Sequence, residues 1–175
     1  RRYLAWAQHD PKLGGNTCLY IQEMESPTRL KGRQVRITRP ELDWEKIRYQ
    51  VNEGAAVIMH GDRIFLTYSA AGTGPEYCVG LLTASAEADL LDPDSWAKSP
   101  QPVFRTSEAN GIFGPGHNSF TTSKDGKTDL LVYHARSYRD IKGDPLRDPN
   151  RHTRVQAISW NPDGTPNFGQ PRKEQ

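Results

Sequence analysis

One plan recurs three times along this chain at long period, and no other feature of the sequence limits its fold as tightly. Each copy has an apolar run ending near an aromatic residue, a loop, a second apolar run and a shorter extended piece. The first runs are residues 2–7, 63–69 and 129–134, the second runs 19–24, 79–84 and 155–160, and the closing pieces 31–37, 99–104 and 165–170. In the second and third copies a further run comes first, Ala55-Ala56-Val57-Ile58-Met59 and Ser119-Phe120-Thr121-Thr122. The turns that follow, His60-Gly61-Asp62 and Lys124-Asp125-Gly126-Lys127, are rich in residues that favour hairpins. Four short antiparallel strands per unit make a propeller blade, so the chain is expected to be an all-β propeller. An ordinary β-sandwich has similarly spaced strands and stays open as an alternative.

The blades are expected at roughly 1–40, 41–112 and 113–175, the first without its innermost strand, so that about two and three-quarter blades are present. A propeller is stable because its ring closes, so further blades are expected upstream. Arg1-Arg2-Tyr3-Leu4-Ala5-Trp6 has no initiator Met and reads as the interior of a strand, which suits a fragment of a longer protein. Helix signals are thin, with one short turn expected over 87–96, between strands three and four.

Composition then removes several function classes. With 23 basic against 21 acidic side chains the net charge is +2, too balanced to point to nucleic acid or an anionic membrane as partner. No apolar run approaches the ~18 residues of a membrane span. Cys18 and Cys78 are too few for a disulfide framework and are read as unpaired thiols. Four Trp, seven Tyr and five Phe supply enough large apolar surface to argue against disorder.

In an up-and-down blade, the loops before strands one and three open on one face. Asn52-Glu53-Gly54 and Gly114-Pro115-Gly116-His117-Asn118 precede inner strands, while Asn16-Thr17-Cys18, Glu76-Tyr77-Cys78 and His152-Thr153-Arg154 precede third strands. The ends of second strands add Trp6, Gln8, His134 and Arg136. Polar donors with aromatic surface suit a sugar. Glu53 and His117 are expected to face one pocket from neighbouring blades.

Glu53, flanked by Val51 and by Gly54, Ala55 and Ala56, is expected in apolar surroundings, where a carboxyl can serve as general acid. Position alone equally admits a structural glutamate paired with an arginine. His117 suits an ion or water, or a satisfied core position. The histidines lack the close spacing of zinc enzymes, and Gly72-Thr73-Gly74 lacks the Lys-Ser/Thr of a phosphate cradle. Gly114-Pro115-Gly116 is read as a turn. Of Arg147, Arg151 and Arg154, only Arg154 is expected to point inward.

Val51-Asn52-Glu53-Gly54, Ile64-Phe65-Leu66-Thr67-Tyr68-Ser69, Tyr77-Cys78-Val79-Gly80-Leu81-Leu82-Thr83, Gly114-Pro115-Gly116-His117-Asn118-Ser119-Phe120, Tyr133-His134-Ala135-Arg136 and the stretch from Asp148 to Arg154 closely resemble glycoside hydrolase family 43. The likeness covers nearly the whole chain and is strongest to its α-L-arabinofuranosidases. It implies a five-bladed propeller that hydrolyses arabinofuranosyl linkages of plant polysaccharides with inversion, and hence an extracellular protein. Glu53 matches the family's general acid, His117 a position near a calcium or other ion, and Arg154 a contact to the sugar or the acid. Asn52, Trp6, Gln8 and Tyr77 are the other expected sugar contacts. No cofactor is needed for the chemistry. The base and a tuning Asp belong to the missing blades, so these 175 residues alone are expected to be inactive. The chain departs from the family at Ala55, where Pro is usual. A β-xylosidase, a sugar-binding propeller without catalysis and a protein-interaction propeller are the competing functions.

Overall fold

Short turns between alternating runs leave little room for helix, and in the computed structural model, which describes residues 1–173, the regular secondary structure is almost wholly antiparallel strand. Strands β1 (Arg2–Gln8), β2 (Cys18–Ser26) and β3 (Arg29–Thr38) form a first sheet. Strands β4 (Asn52–His60), β5 (Arg63–Ala70), β6 (Cys78–Ser85) and β7 (Ala97–Lys98) form a second. A third holds β8 (Phe113–Thr122), β9 (Asp129–Arg136) and β10 (His152–Ala157), followed by the small pair β11 (Ser159–Trp160) and β12 (Pro166–Asn167). Helix among the described residues is limited to single 3-10 turns at Asp43–Glu45, Pro93–Ser95 and Pro145–Arg147. The middle one lies within the turn expected over 87–96, where Pro93 enters the first turn and the Asp92 carboxylate accepts from Asp94 N.

Three sheets in chain order, with a core between each neighbouring pair, exclude a two-sheet sandwich. Leu19, Ile21 and Ile37 of the first sheet pack with Leu66, Tyr68 and Leu82 of the second. On the other side Val79, Phe104 and Ile112 pack with Leu131 and Tyr133 of the third. Strand β5 is covered on both faces: Leu66 and Tyr68 enter the first core, while Thr67 and Ser69 meet β8. Each fully buried Leu or Phe contributes about 1.5–3 kcal/mol. Cys18 and Cys78 are both free and buried.

The strands depart from expectation where proline interrupts a ladder. The closing piece expected at 99–104 pairs regularly only at Ala97–Lys98, because Pro100 and Pro102 carry no N–H; Ser99 and Val103 still donate to Leu81 and Val79. Gly114-Pro115-Gly116 is no turn. It lies within β8, whose register breaks on both sides of Gly116. The run expected over 155–160 is broken at Ile158, whose side chain turns into the second core, so the closing piece pairs with β11 rather than β10.

Candidate active site

The start of β4 is anchored from the first sheet. Thr17 and Val51 form a parallel bridge, and Asn52 N donates to Thr17 O at 2.9 Å. Glu53 stands opposite Ser69 of β5, and the register slips between Glu53 and Ala56. Gly54 takes up the slip at φ 60°, in the left-handed region that favours glycine; a Cβ there would lie 3.2 Å from the His117 ring. This close approach lets β8 place His117 against Glu53.

Three side chains from three segments meet at this point. The Tyr77 hydroxyl donates to Glu53 Oε1 at 2.6 Å, and His117 Nδ1 lies 3.9 Å from the same oxygen and 3.4 Å from the Tyr77 oxygen. The Tyr77 ring stacks on His134 with centroids 5.5 Å apart and planes 6° off parallel. Gly116 makes that placement possible, since a Cβ on it would stand 2.3 Å from the Tyr77 ring. His117 itself adopts φ 47°, a strained backbone for an imidazole residue, and its N–H donates to Ser69 Oγ at 2.6 Å.

Electrostatics keep two of these rings neutral. Burial, followed by the negative charge of Glu53, raises the Tyr77 phenol well above its ordinary range, so it remains a hydrogen-bond donor. Burial, helped by Arg151 and His117, pushes His134 down to about 4. The Glu53 side chain is 31% exposed and His117 57%. Glu53 opens on a cavity of about 160 Å³, in which it is the one carboxylate among the described lining residues; Tyr49, Thr73 and Leu146 form its walls.

Behind this site sits a second glutamate. Glu45 is wholly buried and accepts from Glu41 N, Leu42 N, Asn52 Nδ2, the Tyr68 hydroxyl and Lys98 Nζ. Burial alone pushes its pKa up, but the two backbone donors and Lys98 outweigh that and hold it below the usual carboxylate range. Arg136, also buried, ties the neighbouring loops by donating to Thr73 O and Pro145 O beside Asp148.

The sequence reading and the structure agree on the meeting of Glu53 with His117 and differ at several other residues. Glu53 has the expected apolar neighbours on its cavity side, Val51, Ala71 and Leu146, and the polar groups of Tyr77 and His117 on the other. Asn52, expected at the sugar, is fully buried with its amide donating to Glu45 and Val51 O, so it braces the strand rather than meeting a ligand. Tyr77 is likewise buried and faces Glu53. Trp6 and Gln8 hydrogen-bond to each other, with Trp6 stacked on Tyr20, and do not line the Glu53 cavity. Arg154 is buried on the face of β10 shared with Gln156. Arg151, read as a solvated loop residue, acts on Tyr77 and His134. Glu45 and Ser69 were not singled out, and no local pattern marks them. Among the described residues no three His, Cys, Asp or Glu side chains gather as metal ligands.

The site is thus a carboxylate about a third exposed, held over a small pocket in an all-β chain. The sequence pattern described as Glycosyl hydrolases family 43 matches residues 1–166, and the chain belongs to that family. Over 170 residues it is 60% identical to an extracellular exo-α-(1→5)-L-arabinofuranosidase of Streptomyces avermitilis, with 97% of this chain and 35% of that protein covered. It is 57% identical over 171 residues to α-L-arabinofuranosidase 43 of Humicola insolens, covering 97% of this chain and 36% of that one. The crystal structure of an α-L-arabinofuranosidase from Lactobacillus brevis superposes with a TM-score of 0.95 at 57% identity, over 98% of this chain and 53% of that one. The chain thus spans about a third of the length of the curated relatives it matches.

Proposed function

We propose that this chain is the acid-bearing part of an extracellular α-L-arabinofuranosidase that removes arabinofuranosyl groups from arabinan- or arabinoxylan-type polysaccharides and oligosaccharides. The relatives' names support the sugar and the location. One observation carries the chemistry: Glu53 is the only carboxylate among the described residues lining its cavity, and it is held at one oxygen with the other open. Glu53 protonates the departing glycosidic oxygen. In the inverting mechanism a second carboxylate activates water on the opposite face, about 6.5–9.5 Å from the acid. That base, and the Asp that tunes the acid, belong to blades outside these residues, so the chain by itself turns nothing over.

The three sheets are read as the last two and three-quarter blades of a five-bladed propeller, with blades near 1–40, 41–112 and 113–175. Trp6 and Gln8, both partly exposed, lie at the same end of the sheets as Glu53 and would reach the sugar once the ring is complete. An ion near His117 would draw the rest of its ligands from water and from those other blades.

The test is Glu53→Gln in the full-length enzyme. General acids contribute about 10²–10⁴-fold, so arabinan hydrolysis is expected to fall by that much, while aryl arabinofuranosides with good leaving groups are partly spared. Unchanged hydrolysis of arabinan by the Gln variant would overturn the assignment.

A further inference from the structure

Tyr77 was expected to touch the sugar, yet it is 1% exposed and its hydroxyl points to the acid. Burial of this degree cannot be reversed by adding blades, which only cover more surface. The hydroxyl is also constrained from behind. The backbone N–H of His117 can only donate, so Ser69 Oγ accepts from it at 2.6 Å and keeps its own proton for the neighbouring Tyr77 oxygen, on which it acts. With a donor at its back, the Tyr77 hydroxyl has two acceptors in reach for its proton, Glu53 Oε1 at 2.6 Å and His117 Nδ1 at 3.4 Å, and the short bond is the one to the carboxylate. The ring cannot turn away, because it lies flat on His134 and against Gly116.

We infer that Tyr77 is a positioning residue that assigns the two oxygens of the acid, reserving Glu53 Oε1 as acceptor so that the transferable proton sits on Oε2. This inference rests on the reading of Glu53 as general acid. If Oε1 carried the proton, the Tyr77 hydroxyl would have to give up its 2.6 Å bond and turn its proton to His117 Nδ1 at 3.4 Å, a longer bond to a neutral ring nitrogen. Oε2 accepts no hydrogen bond from the described residues, which leaves its proton free for a substrate oxygen. In the step itself the Oε2–H bond breaks as the proton passes to the glycosidic oxygen and the anomeric C–O bond opens. The oxygen of an attacking water bonds to the anomeric carbon, and that water's proton goes to the base carboxylate. The carboxylate left on Glu53 then keeps the Tyr77 hydrogen bond, which is stronger to a charged acceptor than to a neutral one.

The experiment compares Tyr77→Phe with Glu53→Gln in the full-length enzyme on two substrates. One is α-1,5-linked arabinotriose, whose leaving group needs an acid, and the other a dinitrophenyl arabinofuranoside, which does not. Phe keeps the stack on His134 and removes only the hydroxyl. The expected result for Tyr77→Phe is kcat on arabinotriose down about 10–100-fold with KM within about twofold, and kcat on the dinitrophenyl substrate down by no more than about threefold. An equal fall on both substrates, or a change confined to KM, overturns the inference, since a structural or sugar-contacting tyrosine behaves so. Glu53→Gln separates the two readings. If it lacks the leaving-group split, the assignment of the acid fails; if it has the split and Tyr77→Phe does not, only the role of Tyr77 fails. Should Tyr77→Phe not fold, Ser69→Ala is read in the same way, with a smaller split expected and an equal fall on both substrates again fatal.

Discussion

Glu45 and Glu53 lie eight residues apart and are brought to opposite fates. Glu45 is sealed in protein with every acceptor site met by a donor, whereas Glu53 is a third exposed with one oxygen held and the other open. A saturated carboxylate has nothing left to offer a substrate. A half-saturated one is oriented and still reactive. The contrast teaches that an ionisable residue's use is decided by what its neighbours leave undone.

Exchanging each glutamate for glutamine should separate the two roles. Glu45→Gln places an amide among five donors and removes the buried one of the two carboxylates paired with Lys98, so a stability loss of about 3–5 kcal/mol is expected in denaturant unfolding of the full-length enzyme. Glu53→Gln should leave the unfolding midpoint almost where it was while activity falls. If the stability losses were equal, the two environments would not differ as described.

A smaller effect tests the glycines that let the site close. Gly116→Ala drives a Cβ into the Tyr77 ring, and an overpacking cost of about 1–3 kcal/mol is expected, with a drop in arabinotriose hydrolysis as Tyr77 leaves Glu53. Gly14, which has nothing within 4 Å of the same added atom, is the control, and Gly14→Ala should stay within about 0.5 kcal/mol of wild type.

The smallest effect concerns acid. His134 takes up its proton near 4 in the fold against 6.5 in the ordinary imidazole, so the unfolded chain binds the proton first as pH falls. Stability from this group is therefore complete above about 6.5 and is lost progressively down to about 4. Because the ring is only partly buried, the loss is roughly 1–2 kcal/mol after solvent screening. His134→Phe should flatten the melting temperature across that window; an unchanged slope would show that His134 does not cause it.

Much of this was legible along the chain. Turn residues and period-two runs placed the strands because hairpins are local, and six ordered stretches, from Val51-Asn52-Glu53-Gly54 to residues 148–154, named the family because each is a recognisable short segment. Asn52 and Tyr77 were also visible as site residues, but their roles were not. Both face inward toward other glutamates, and which carboxylate a side chain meets depends on segments far apart in sequence. Glu45 was not singled out, since beyond the adjacent Glu41 and Leu42 amides its partners come from three distant stretches, at Asn52, Tyr68 and Lys98. Arg151 looked solvated among its neighbours in sequence, although its charge is felt by rings of the second and third sheets.

What the sequence by itself determined was the order of strands, the family and the identity of the candidate acid, all properties of short segments with their own turn chemistry and alternation. The tertiary structure alone decided which oxygen of that acid is held, which glutamate is silenced and how closely β8 can approach β4. Those outcomes depend on angstrom-scale contacts between strands that meet only when the sheets pack, where a missing Cβ or one hydroxyl sets the geometry.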